Sequence, residues 1–156
     1  MKTFIIRNID ERLYKEIKKQ AMKSESGSKI IADTSIWIEF LKNNQDVFPL
    51  MQKLLEKNYI IAVECIFGEL LQGVKTTRER DIILGYWECL PKADESNVWI
   101  DAGNYSNKNK SLEKGVGLID SVLIVLAIKN NLKIWTLDKK LEKILQPEIA
   151  YLSRFK

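Results

Sequence analysis

The amino-acid sequence predicts an α/β fold in which a parallel sheet carries helices on both faces. Short runs of apolar residues alternate along the chain with helix-like segments. Strands that are separated by helices usually pair in parallel. The length of 156 residues and the hydrophobic content of 46% suit one domain with a full core, and they argue against a disordered chain.

The N-terminal residues 1–23 are predicted to form a strand-helix appendage. Phe4 and Ile6 alternate with their neighbours as in a short strand, and Leu13 and Ile17 recur at helical spacing. A strand and one helix of this length bury too little apolar surface to be stable alone. We therefore expect the appendage to pack on the main domain or on another chain.

The main domain is predicted to span residues 29–156, after a linker at 24–28 that reads SESGS. Its first strand, residues 29–32, leads into Asp33-Thr34-Ser35, which opens an amphipathic helix. The other predicted strands are 59–63, 88–90, 133–136 and 149–152. The other predicted helices are 46–56, 66–72, 77–87, 97–112, 118–129 and 139–145. The helix at 118–129 is apolar all round and is therefore expected to be buried.

Composition narrows the possible chemistry. The chain contains no histidine, which excludes imidazole-based catalysis and histidine zinc sites. Cys65 and Cys89 lack metal or redox spacing and are predicted to be buried free thiols of a reducing compartment. No targeting signal is visible, and the longest apolar run is about half a membrane span. We expect a soluble cytoplasmic protein, not a membrane protein, whose chemistry rests on carboxylates and a hard metal ion.

Four acids stand where functional groups gather in α/β sheets, at strand ends and helix beginnings. Asp33 and Asp138 each follow an apolar strand, whereas Asp120 and Glu69 lie in the opening turns of two helices. Taken singly, each has a structural explanation as a helix cap or a surface residue. Gathered at one edge, they would raise one another's pKa values unless a cation neutralised them. Oxygen ligands of this kind suit Mg²⁺ or Mn²⁺.

Four segments of the main domain carry a more specific pattern. They are IIADTSIWIEFL at 30–41, FGELLQG at 67–73, VGLIDSVLIVLA at 116–127 and IWTLDKKL at 134–141. Their order and spacing resemble PIN-domain nucleases, and in particular toxins of the VapC type from type II toxin–antitoxin systems. The resemblance covers essentially all of the main domain and implies a PIN-like three-layer sandwich. It also implies an endoribonuclease toxin that uses Mg²⁺ or Mn²⁺ and cleaves RNA with metal-activated water.

The same resemblance assigns catalytic and metal-binding roles to the four acids. Asp33 and Asp120 would bind the metal directly, and Asp138 would bind it directly or through water. Glu69 would hold metal-bound water or a second ion. Glu64, an extra acid five residues before Glu69, is either a supporting residue of the site or an ordinary surface residue.

Further candidates surround these acids. The hydroxyls of Ser35 and Thr136 match positions that support the site by hydrogen bonding, although capping and strand propensity explain them equally well. Lys75, Arg78 and Arg80 cluster after FGELLQG and are candidates for contact with RNA phosphates. A solvated helix face is the alternative explanation for these basic residues.

The N-terminal residues 2–26 resemble the start of ribbon-helix-helix antitoxins. The match would turn Arg7 toward DNA, but the sequence lacks the motif's second helix, and residues 1–28 have a net charge of only +3. We interpret residues 1–23 as a fused remnant used for dimerisation or docking, with DNA binding less favoured. Expected partners are RNA and a second copy of the chain, with a separate antitoxin as a further candidate. Two alternatives to the nuclease stay open: a DNA-binding regulator on a non-catalytic scaffold, and a silent RNA-binding domain.

Overall fold

The computed structural model describes residues 11–21 and 28–151. The predicted strand around Phe4 and Ile6, Arg7 and most of the predicted linker lie outside the described residues. The helices run as follows: α1 Glu11–Ala21, α2 Thr34–Leu41, α3 Phe48–Glu56, α4 Glu64–Gln72, α5 Thr77–Cys89, α6 Val98–Lys108, α7 Leu118–Asn130 and α8 Lys139–Ile144. The strands are β1 Ile30–Ala32 and β2 Lys133–Trp135.

The sheet is parallel and its strand order reverses once. β1 and β2 pair directly, with Ile31 opposite Ile134. Single parallel bridges extend this ladder on both sides, at the pairs Ile30–Ile60, Ala62–Lys92 and Ile134–Ala150. The chain therefore moves outward from β1 through residues 60–62 to residue 92, and then returns to β2 on the other side of β1. Such a reversal opens a crevice between the carboxyl ends of two neighbouring strands.

Helices cover both faces of the sheet, as the sequence predicts. On one face α2 contacts β1 and packs with α3 and α4, and α5 packs on α4. α6 and α7 pack together, and α7 contacts β2. Right-handed crossovers put helices on one face while the chain moves outward and on the opposite face when it returns. The result is a three-layer α/β sandwich, and α7 is buried in it along most of its length.

Helix α1 packs on the main domain, against α3 and α5. Its Leu13 and Ile17 side chains are buried in the common core. The Tyr14 hydroxyl donates a hydrogen bond of 2.9 Å to the carbonyl oxygen of Ile82. The Tyr14 ring also meets the Tyr86 ring edge-on, with 4.8 Å between their centroids. The appendage helix thus finds its packing partner in the same chain, while the boundaries at residues 23 and 29 stay predictions.

The predicted strand at residues 88–90 is wrong. Helix α5 continues through Cys89, and Leu90 is its extended C-cap residue. The residue before a proline is driven out of the helical region, so Pro91 ends the helix only at Leu90. The extended backbone follows, and the bridge to the neighbouring strand falls on Lys92.

Smaller differences concern other element ends. The predicted helix at 97–112 ends at Lys108, and a separate 3-10 turn at Leu112–Lys114 closes on Gly115 with a φ of 77°. The predicted strands at 59–63 and 149–152 are reduced to single bridges among the described residues.

Both cysteines are free, and they are partly buried where the sequence predicted buried thiols. Burial raises the pKa of the Cys65 thiol to about 12, so this thiol is not a reactive nucleophile. Across the described ranges, no helix combines the length and the apolar character needed to cross a bilayer.

Candidate active site

An acidic cleft of about 510 Å³ lies at the crevice between β1 and β2. All four acids singled out from the sequence line it: Asp33, Glu69, Asp120 and Asp138. Asp33 follows β1, Glu69 lies in the second turn of α4, Asp120 in the first turn of α7, and Asp138 precedes α8. Residues that are far apart in the sequence thus meet at the switch point of the sheet.

Asp33 is the most deeply placed of these acids, with 6% of its surface exposed. It caps α2, because its Oδ1 accepts a hydrogen bond of 3.3 Å from the backbone N–H of Ile36. The hydroxyls of Ser35 and Thr136 donate hydrogen bonds to its Oδ1 and Oδ2, respectively. Burial raises the pKa of Asp33 above its ordinary value, whereas these hydrogen bonds favour the ionised form and oppose the rise.

The same two hydroxyls join Asp33 to the segment after β2. The Ser35 Oγ accepts a hydrogen bond of 3.0 Å from the backbone N–H of Leu137. The Thr136 Oγ1 accepts one of 2.9 Å from the backbone N–H of Asp138. Both hydroxyls therefore contact Asp33, and they link the start of α2 to the segment that follows β2.

Two further hydrogen bonds orient the other two rim acids, Asp138 and Glu69. The Oδ1 of Asp138 accepts a hydrogen bond of 2.9 Å from the backbone N–H of Lys140, so Asp138 caps α8. The Thr34 hydroxyl donates a hydrogen bond of 2.9 Å to the Oε1 of Glu69. Each rim acid is therefore held by the start of a helix.

The carboxyl group of Asp120 has a strongly raised pKa. Burial first, and then the negative charges of Asp138, Asp33 and Glu69, together raise its pKa from 3.8 to about 6. The backbone at Gly117 acts the opposite way and stabilises the ionised form. A carboxylate in such an acidic setting is destabilised unless a positive charge comes close.

The basic candidates do not belong to this cleft. Lys75, Arg78 and Arg80 are exposed, in the loop after α4 and the first turns of α5, and none of them lines the cleft. Their contact with RNA stays a prediction, and Arg7 lies outside the described residues. Glu64 is exposed and is not among the cleft's lining residues.

Three residues of the site were missed by sequence reasoning. Thr34 was seen only as part of a helix start, although it binds Glu69. Trp99 and Leu118 line the cleft and are 45% and 44% exposed. The signal for Trp99 was available, because Val98 and Ala102 already supply the buried side of α6 and leave Trp99 on another side of the helix.

The donor set of the cleft fits a hard divalent cation. Four carboxylates offer oxygen ligands of the kind that Mg²⁺ and Mn²⁺ bind. Among the described residues that line the cleft there is no lysine or arginine to neutralise them. Across residues 11–21 and 28–151, no three acidic or cysteine side chains form a ready-made set of ligands. The carboxylates would therefore have to turn toward a cation as it binds.

Comparison with known protein families agrees with the geometry of the cleft. The PIN domain family profile matches residues 30–145, which begins at β1 and ends just after α8. No match was found among curated proteins. The matched range contains all four cleft acids and favours a nuclease over a DNA-binding regulator. The chain belongs to the PIN domain family, whose members are in general nucleases that use divalent metals such as Mg²⁺.

Proposed function

We propose that this chain is an endoribonuclease that depends on Mg²⁺ or Mn²⁺ and acts as the toxin of a toxin–antitoxin system. One observation carries the proposal. A single cleft is lined by four carboxylates, and its described lining residues include no lysine or arginine; the four acids are Asp33, Glu69, Asp120 and Asp138. Gathering four like charges destabilises a fold. A cation-dependent function explains the arrangement better than a structural role does.

The proposed ligands are those that the resemblance to PIN-domain nucleases implies. Asp33 and Asp120 are the direct ligands, Asp138 binds directly or through water, and Glu69 holds water or a second ion. When bound, the cation would lower the pKa of a water molecule and offset the charge that develops on the phosphodiester. This chemistry needs no imidazole, in agreement with a sequence that contains no histidine.

The chain's own groups prepare the acids for this task. The Ser35 and Thr136 hydroxyls fix both oxygens of Asp33 and favour its ionised form. The Thr34 hydroxyl fixes one oxygen of Glu69. Because the pKa of Asp120 is about 6, protons would compete with the cation at acidic pH.

The direct test is cleavage of labelled single-stranded RNA in Mg²⁺, in Mn²⁺ and in EDTA, with DNA of the same sequence as a comparison. Helix α4 offers a matched pair of variants, because Glu69 lines the cleft and Glu64 does not. Glu69→Gln should slow cleavage by about tenfold or more, and Glu64→Gln should leave it unchanged. Asp120→Asn should abolish it. Equal losses in the two glutamine variants, or cleavage that persists in EDTA, would contradict the proposal.

The reaction products provide a second test. Hydrolysis by an activated water should leave a 5′-phosphate and a 3′-hydroxyl. A 2′,3′-cyclic phosphate would instead show that the neighbouring hydroxyl of the RNA attacks the phosphorus, which needs no added water in that step. Mass spectrometry of the cleaved oligonucleotides distinguishes the two products.

The toxin role and the partners rest on the VapC-like segments. Expression in a bacterial host should arrest growth, and the Asp120→Asn variant should not. We also propose that the chain forms a homodimer, which sedimentation would detect, and that a separate antitoxin neutralises it. DNA binding through residues 1–23 is the less favoured role of the appendage, and a gel shift that Arg7→Ala weakens would support it.

A further inference from the structure

An exposed aromatic ring stands on the wall of the acidic cleft. The sequence has four tryptophans. Trp37 and Trp135 are buried in the core, and Trp87 is half-buried and packs on Phe67. Trp99 differs, because it lines the cleft and remains 45% exposed. A single exposed apolar residue needs no explanation, but one placed among four carboxylates in a cleft does.

The fold explains why this side chain reaches the site. In this sheet the acids stand where a strand is followed by a helix, as Asp33 does before α2 and Asp138 before α8. Helix α6 follows the bridge at Lys92 in the same way, and Trp99 is the second residue of that helix. The topology therefore brings an aromatic ring to the edge of the sheet that otherwise gathers carboxylates. Leu118, at the start of α7, adds a second exposed apolar group to the cleft.

We propose that Trp99 is a stacking platform for a base next to the bond that is cleaved, so that the preferred substrate is RNA with unpaired bases at that point. The inference rests on the proposed ribonuclease function and adds a specificity-determining residue to it. An unstacked base offers its flat face to an aromatic side chain, whereas a base inside a duplex does not. Stacking of this kind accepts any base, because every base has a π-face.

The negative charge of the cleft makes Trp99 more important for holding the RNA. Proteins usually hold a nucleic-acid strand through lysine and arginine contacts to phosphates. The described residues that line this cleft include neither, so the protein offers no direct positive contact to the strand there. Apart from a bound cation, the apolar wall of Trp99 and Leu118 is the part of the cleft that attracts a nucleotide.

Binding of a short single-stranded RNA tests the proposal. The Asp120→Asn protein is the background, so that the RNA is not consumed. Trp99→Ala should weaken binding by about 5- to 150-fold, and Trp99→Phe should retain most of the affinity. The matched control is Ile100→Ala, because Ile100 is the next residue of α6, is 70% exposed and does not line the cleft. It should bind as the background does. Thermal unfolding of each variant confirms that it is folded.

Abasic oligonucleotides show whether the lost affinity comes from stacking. When single bases are removed in turn, one position should weaken binding to the protein that retains Trp99. The same removal should have no further effect on Trp99→Ala, since the two changes delete one interaction. Quenching of tryptophan fluorescence by the RNA should be lost in Trp99→Phe. In the otherwise wild-type enzyme, Trp99→Ala should raise KM and leave kcat nearly unchanged.

Three results of the binding experiments would overturn the inference. The first is equal affinity of the Trp99→Ala and background proteins. The second is a loss that no abasic position reproduces. The third is a dimer that Trp99→Ala converts to a monomer with unchanged RNA affinity, which would assign the ring to contact with a second copy. RNA cleavage that depends on Asp120 but not on Trp99 would refute the stacking role and leave the proposed ribonuclease function standing. A protein that neither binds nor cleaves RNA would refute both.

Discussion

Replacing Asp120 by asparagine is expected to stabilise the metal-free protein and to remove its response to divalent cations. Asp120 lies in the first turn of α7, at a cleft that it shares with three other acids. Asparagine has nearly the same shape but no charge. The substitution therefore removes the electrostatic repulsion and one proposed cation ligand together.

The magnitude follows from the pKa of Asp120. Burial, followed by the carboxylates of Asp138, Asp33 and Glu69, raises it from 3.8 to about 6. The native state thus binds the proton more tightly than the unfolded chain, so the free energy of unfolding falls as the pH rises between these values. At 1.36 kcal/mol per pKa unit, the full loss above pH 6 is about 3 kcal/mol. Water in the open cleft screens the charge, which leaves about 1–2 kcal/mol.

Urea unfolding at about pH 4.5 and about pH 8, with and without Mn²⁺, measures this effect. Asp120→Asn should exceed the wild type by about 1–2 kcal/mol at the higher pH and by less at the lower one. Saturating Mn²⁺ should stabilise only the wild type, by about 2.7 kcal/mol at a hundredfold excess over its Kd. Asp101→Asn is the control, because it removes a carboxylate from the first turn of another helix, α6, together with an exposed ion pair to Lys129, and it should change the free energy of unfolding little. A less stable Asp120→Asn with an unaltered Mn²⁺ response would refute the reasoning and would identify Asp120 as a helix-stabilising residue.

Three other predictions concern the supports of the site and the fold. Thr136→Val removes a hydrogen bond that lowers the pKa of Asp33, so protons should compete more strongly with the cation for this carboxylate. The Mn²⁺ affinity measured by calorimetry should therefore fall more at about pH 6 than at about pH 8, and an equal fall at both would contradict this cause. Gly115→Ala should lower the free energy of urea unfolding by about 1–2 kcal/mol, because φ is 77° and the Lys140 Cδ lies 3.1 Å from the added methyl group. Ile17→Ala should lower it by about 2–5 kcal/mol in a single transition, since this α1 side chain is fully buried; a loss below about 1 kcal/mol would make α1 a loosely attached segment.

The sequence predicted best those features that have a local cause. The run of apolar residues before Asp33 and the capping residue Asp33 itself were enough to locate β1 and the start of α2. The hydrogen bond between Thr34 and Glu69 joins residues 35 positions apart, and no local pattern indicates it. The strand at 88–90 failed because the chain's departure from α5 depends on Pro91 rather than on the apolar character of those residues. Trp99 was overlooked because an aromatic residue in a helix is usually part of the core.

Helix capping and cation binding are not competing explanations for the whole site, because capping accounts for only half of the acids. Asp33 caps α2 and Asp138 caps α8, each through backbone N–H groups, and these roles alone would justify a carboxylate. Glu69 lies in the second turn of α4, beyond the reach of the cap, and its described hydrogen bond is to Thr34. Asp120 does lie near a helix start, yet burial and its acidic neighbours outweigh that benefit and raise its pKa. Capping thus leaves Glu69 and Asp120 unexplained, and substitutions at these two acids separate the two roles most cleanly.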